Sequence, residues 1–141
     1  MIILDTNVIS AAMRTRQDPV IAQWLNDFPI ESLWLTAITV FEIRLGIEVL
    51  AAGKKRRQLE QDFERALFDD FEGRVLALDE AAAQAAGVLD GQRRRDGRPI
   101  EMRDTLIAGI AIAQKAALAT GNIRHFQDLD IRLFNPWDDV R

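Results

Sequence analysis

Short apolar runs alternate with longer stretches of helical periodicity along the whole sequence, and that alternation restricts the fold more than any other feature. The runs are "MIIL" (Met1 to Leu4), "LWLT" (Leu33 to Thr36), "RVLAL" (Arg74 to Leu78), "AALAT" (Ala116 to Thr120) and a short "IRLF" (Ile131 to Phe134). Between them the spacing predicts helices over Val8 to Arg14, Val20 to Asp27, Val40 to Ala52, Arg56 to Asp70, Glu80 to Arg95 and Thr105 to Lys115. Strands separated by a helix cannot close through a tight turn, so the pattern predicts an α/β fold with a parallel sheet and crossover helices. Asp18-Pro19 breaks the first two helices apart, Gly53 and Gly73 act as stops, and Gly97-Arg98-Pro99 marks a loop. The helix from Arg56 is amphipathic, with Leu59, Phe63, Ala66, Leu67 and Phe68 on its apolar side. A chain of 141 residues without repeats or linkers is expected to be one domain.

Several kinds of chemistry are excluded by residue type. There is no cysteine, hence no thiol nucleophile and no Cys-ligated zinc. Tyrosine is absent, and the single histidine, His125, cannot form a His–His pair or a multi-histidine metal site. Carboxylates are left as the working groups. The apolar stretch Leu106 to Ala113 is far too short to span a bilayer, and no basic leader precedes an apolar segment, so a cytoplasmic protein is expected. A net charge of -4 and a pI near 5.0 argue against a surface that coats nucleic acid all over. Even so, the middle of the chain holds two basic clusters, Lys54 to Arg57 and Arg93 to Arg98. They read either as solvated helix ends or as a phosphate-binding edge beside an acidic site.

In parallel α/β sheets, ligands bind beyond the carboxyl ends of the strands. Asp5, Thr6 and Asn7 stand at the end of the first predicted strand. Any one of them could cap the next helix, but a cap needs one residue and here there are three. Glu42 follows the second strand, where "TVFE" reads as a capping box with Thr39 as N-cap. Asp104 precedes the very apolar helix "TLIAGIAIA" and also suits an N-cap, while neighbouring Glu101 reads as a solvated loop charge. Asn122, next to Gly121, suits a turn with positive φ, and Thr120 before it could direct its hydroxyl into the pocket of Asp5. Each position has an ordinary structural explanation. Together, Asp5, Glu42 and Asp104 would converge with Thr6, Asn7, Thr120 and Asn122, and clustered carboxylates are costly without a cation. A hard divalent ion with oxygen ligands removes that cost; Mg²⁺ fits best and Mn²⁺ is also suitable.

The segments "ILDTNVIS", "AITVFEIRLGI", "RDTLIAGIA" and "ATGNIRHF…LFNPW" occur in an order and spacing that resembles the PIN-domain ribonucleases. Within them the likeness is to VapC-type toxins of toxin–antitoxin pairs, in the FitB-like group. The resemblance covers essentially the whole chain. It implies a single PIN domain over residues 1–141, a Rossmann-like α/β/α sandwich whose central, mostly parallel sheet has four or five strands. It implies a Mg²⁺-dependent endoribonuclease in which Asp5, Glu42 and Asp104 form the metal site. Thr6, Asn7 and Thr120 then match its supporting polar positions. The fourth position, often Asp in "ATRD"-like form, is Asn122 here, which supplies neither charge nor a base. The implied partners are an RNA substrate, a second copy in a homodimer and a cognate antitoxin, with operator DNA reached only through the antitoxin and no membrane. The apolar helix faces of Val20 to Asp27 and Ile43 to Ala52 are candidate contact surfaces. Asn122 keeps open a reading as a PIN-like binding module without catalysis. A phosphotransfer role for Asp5 is not supported, because Asn7 stands where an aspartate-nucleophile phosphatase needs a second Asp.

Overall fold

The computed structural model describes residues 1–14 and 17–138. Five described strands, β1 (Ile2–Leu4), β2 (Leu33–Thr36), β3 (Val75–Leu76), β4 (Ala117–Ala119) and β5 (Leu133–Phe134), form one sheet in the order β3-β2-β1-β4-β5. Every pairing is parallel, with Ile3 opposite Trp34 on one side and Leu118 on the other. The sheet is therefore entirely parallel. Among the described residues six α-helices accompany it: α1 (Thr6–Met13), α2 (Pro19–Asn26), α3 (Ala37–Glu48), α4 (Lys54–Arg65), α5 (Glu80–Arg95) and α6 (Met102–Gln114).

Strand alternation sends side chains into two cores. Ile2, Leu4, Leu33 and Leu35 pack with Val8, Ile9, Ile21, Trp24, Ile43, Ile47 and Phe63 from α1 to α4. Ile3 and Leu118 pack on the opposite face with Ala82, Leu89, Ile107 and Ile110 from α5 and α6. Steps from β1 to β2 to β3 move one way along the sheet, and the chain then returns over the other face to reach β4. That reversal leaves a topological switch between β1 and β4.

The helices differ from expectation at both ends, and α3 stops at Glu48 rather than at Ala52. Thr36, not Thr39, caps α3: its Oγ1 accepts from the Thr39 N–H at 3.1 Å. Two threonines three residues apart are equally good caps locally, and the end of β2 decides between them. Glu101, not Asp104, caps α6, accepting from the N–H groups of Arg103 and Asp104, so it is no idle loop charge. α4 runs into a π turn at Ala66–Asp70, which carries Phe68 out to 71% exposure instead of into the core. The C-terminal "NPW" is structural: Trp137 Nε1 donates to Asp18 Oδ2 at 3.1 Å, tying the tail to the cap of α2. This bond holds the Asp18 carboxyl below its usual range.

Candidate active site

The site is assembled at the carboxyl ends of β2, β1 and β4, the three adjacent strands that bracket the switch. Asp5 leaves β1 and caps α1. Its Oδ1 accepts from the Thr6 N–H at 2.8 Å and its Oδ2 from Thr120 Oγ1 at 2.7 Å, which joins β1 to β4 at the crevice. The cap and the site are thus the same residue. Thr120 Oγ1 also accepts from the Asn122 N–H at 3.0 Å. That local turn leaves Asn122 at φ −103°, so the positive-φ turn expected there does not form. Asn7 Oδ1 accepts from the Gly121 N–H at a long 3.4 Å, holding the same loop.

A ladder of hydroxyls leads to Glu42. Thr6 Oγ1 donates to Glu42 Oε1 at 2.9 Å and lies 3.0 Å from Thr39 Oγ1. Its single proton is committed to Glu42, so Thr39 donates to Thr6 and accepts from Thr36 at 3.4 Å. Glu42 therefore does not reach back as a capping-box residue. It faces the polar end of the sheet, with Arg103 Nη1 3.9 Å from its other oxygen.

Asp104 lies in the first turn of α6, mostly buried, and its Oδ2 bonds His125 Nδ1. Burial pushes the Asp5 carboxyl up to about 6, and the charges of Asp104 and Glu42 add to it against the two hydrogen bonds. The Glu42 carboxyl is raised too, by burial first, opposed by the Thr6 hydroxyl, and by the charge of Asp104. The charge of Asp104 thus acts on both Asp5 and Glu42. Among the described residues, however, no three Asp, Glu or His side chains are gathered tightly enough to form a ready ligand set. The donor set is hard oxygen, and its repulsion is only partly offset by Arg103 and the hydrogen bonds on Asp5 and Asp104; both properties suit a divalent cation.

Two residues that carry this geometry escaped the sequence reading. His125 is informative as the sole histidine, but its partner Asp104 is remote along the chain. Arg93 was grouped with a basic surface cluster, yet it is 2% exposed. Its guanidinium donates to both oxygens of Asp128 at 2.8 and 2.9 Å, to Thr105 Oγ1 at 3.0 Å and to the His125 carbonyl at 2.6 Å. It holds the Asp128 carboxyl below its usual range and clamps the His125 turn to the start of α6. The other cluster is also partly committed, since Arg56 pairs with Glu48 at 2.6 Å and with Glu60 at 3.2 Å. Arg93→Met is expected to destabilise the chain by roughly 2–3 kcal/mol, the low side for breaking a buried pair because Asp128 is 40% exposed. Urea unfolding checks this; an unchanged midpoint would remove the clamp.

Comparison with known proteins is consistent across sequence and structure. The PIN domain family matches residues 2–131. Toxin FitB of Neisseria gonorrhoeae is 36% identical over 139 residues, covering 99% of this chain and 100% of that protein. VapC ribonuclease Y4jK of Sinorhizobium fredii is 35% identical over 138 residues, covering 98% and 99% respectively. A solved structure of FitAB bound to a DNA fragment matches with a TM-score of 0.87 and 36% identity, over 97% of this chain and 96% of that one.

Proposed function

The chain belongs to the PIN domain family, and on that premise we propose that it is a Mg²⁺-dependent endoribonuclease toxin, held in check by a cognate antitoxin. The observation that carries this reading is the placement of Asp5, Glu42 and Asp104 around the carboxyl ends of β2, β1 and β4, with Thr6 and Thr120 holding Asp5, Thr6 Oγ1 bonding Glu42, and Arg103, next to Asp104, reaching to within 3.9 Å of Glu42. Its relatives are named as a toxin and as a ribonuclease, and one solved relative is a toxin complex on DNA. We place the DNA contact with the antitoxin, since the acidic toxin chain repels DNA over most of its surface.

Asp5 and Asp104 are the proposed metal ligands, with Glu42 completing the set, and Mn²⁺ is an alternative ion. When bound, the cation would supply an activated water and charge stabilisation at the scissile phosphate. The protein's own part is orientation. Thr120 and the Thr6 amide fix both oxygens of Asp5, the hydroxyl ladder fixes Glu42 Oε1, and His125 fixes one oxygen of Asp104. Each carboxylate is thereby aimed before substrate arrives, which avoids ordering it at the moment of reaction. Asn122 is exposed and adds no charge, so hydrolysis has to run on three carboxylates.

The expected contact faces are met only in part: Leu45 and Val49 of the Ile43 to Ala52 segment are exposed, but the other large apolar residues of both segments are not. Ile21 and Trp24 of α2, and Ile43 and Ile47 of α3, are buried in the core. Phe41 and Leu45 of α3, with Val49 at its C-cap, remain outside, and this stripe is the apolar face we assign to contact with a second copy or the antitoxin.

Purified chain, free of antitoxin, should cut a mixed RNA pool in Mg²⁺ or Mn²⁺, fail in EDTA, and lose activity in Asp104→Asn. Cuts that persist in EDTA would overturn metal dependence. A folded chain that cuts nothing in either metal would favour the binding-module reading.

A further inference from the structure

The basic segment at the end of α5 is divided by the fold. Arg93 points inward, Arg94 pairs with Asp90 at 3.0 Å, and Gly97, at φ +68°, turns the chain so that Arg98 comes back over Arg93. The Arg98 N–H donates to the Arg93 carbonyl at 2.8 Å, which anchors this turn. On the facing side, Arg124 belongs to the Ile123–His125 turn that meets Asp104. Arg93, Asp96, Arg98, Ile100, Arg124, Gln127 and Asp128 border a cavity of about 170 Å³.

Charge in this cavity is unbalanced. Arg93 and Asp128 neutralise each other through a two-pronged pair. Arg98 adds to the field that lowers the Asp128 carboxyl, after Arg93, but neither Arg98 nor Arg124 has a carboxylate within 4.0 Å among the described residues. Arg98 and Arg124, from sequence-distant turns, thus line one concave spot, with Asp96 as the remaining opposing charge. A guanidinium presents a fork of N–H donors matched to phosphate oxygens. Residue adjacency also sets the place: Arg124 precedes His125, and Arg93 in the wall donates to Thr105, next to Asp104.

We infer that this cavity binds a backbone phosphodiester of the RNA strand flanking the cleavage position, with Arg98 and Arg124 as its charged donors and Gln127 as a neutral one. The inference rests on the nuclease reading for its ligand, and its role is to hold the strand in register, since phosphate contacts position without reading sequence.

The test uses a fluorescent single-stranded RNA with 2′-O-methyl groups, which resists cleavage, and measures binding to the whole chain across a salt series in EDTA. For the double variant Arg98→Gln/Arg124→Gln, the slope of log affinity against log salt should fall in magnitude by about 1.4, the value for two lost single-strand contacts. The control Lys54→Gln/Lys55→Gln, at the start of α4, should leave the slope unchanged. Equal slopes in the unaltered chain and the Arg98/Arg124 variant would overturn the inference, as would an equal drop in the control, which would indicate a diffuse field. Failure of the unaltered chain to bind RNA would overturn it as well. Cleavage in Mg²⁺ is scored separately, so a lost slope without cleavage leaves the cavity and removes the nuclease, while cleavage with equal slopes does the reverse.

Discussion

Asp5→Asn is expected to cut RNA cleavage by roughly 10³-fold or more while leaving the metal-free chain more stable at pH 8. One property causes both effects. Asp5 is 3% exposed, and its carboxyl is pushed up to about 6 because burial and the neighbouring charges of Asp104 and Glu42 outweigh two hydrogen bonds. Asparagine has the same shape. Its Oδ1 keeps the Thr6 N–H bond, and its amide can donate to Thr120 Oγ1, which has lone pairs for both this and the Asn122 N–H. What is removed is the negative charge, which destabilises the empty site and would hold the cation, together with the acceptor of the Thr120 hydroxyl proton, a smaller loss that does not vary with pH.

The pH dependence has a definite sign. In the unfolded chain an aspartate titrates near 3.8, so between 3.8 and about 6 the folded chain binds the additional proton. Stability therefore falls as pH rises through this window. The cost is absent below 3.8 and complete above about 6. The distance between the two values corresponds to about 3 kcal/mol. Urea unfolding in EDTA should show Asp5→Asn and the unaltered chain close together at pH 4 and separated by about that amount at pH 8, with the variant ahead. A constant difference would mean that Asp5 is not held against its own charge. Retained cleavage would take Asp5 out of the site.

Gly109→Ala should be the most damaging single methyl in the protein. A Cβ at Gly109 would lie 2.5 Å from the Ala82 carbonyl oxygen, 2.6 Å from Ala86 Cβ and 2.9 Å from the Ala86 nitrogen. Two of these atoms are backbone of α5, so no side chain can swing aside and the helices themselves must separate. We expect a loss of about 3 kcal/mol, the upper end for overpacking, well above the ~1 kcal/mol that alanine adds through helix propensity. Gly46→Ala in α3 meets nothing within 4 Å and should show the propensity gain alone. The damage at Gly109 should also reach function, because α6 carries Asp104 and α5 carries Arg93, which bonds Thr105 across the same interface. A reduced urea midpoint together with reduced cleavage by the folded fraction is the expected pair of results. A midpoint equal to that of the unaltered chain would mean that α5 and α6 are not packed at this distance.

The parallel α/β class, the five strand positions and the six helices were legible in the amino-acid sequence, because strand and helix periodicity is written in neighbouring residues. So was the surplus of polar groups after the first strand. "DTN" was too rich for a cap alone, and Asp5 both caps α1 and bonds Thr120 across from β1 to β4. The helix starts were less secure. Thr36 and Thr39, or Glu101 and Asp104, are equivalent caps on local grounds, and the strand or loop that delivers the chain to the helix chooses between them.

Other features depended on residues meeting across elements. Nothing local separates buried Arg93 from exposed Arg94 and Arg95; what separates them is that Asp128, Thr105 and the His125 carbonyl stand where only one of the three side chains can reach. His125 likewise gains its meaning only beside Asp104. The sequence by itself determined the order of elements and the carboxylates available for chemistry, since both depend on residue type and short-range spacing. Which carboxylate is buried and which arginine is neutralised was decided by tertiary structure, because desolvation and charge pairing act between residues that folding brings together.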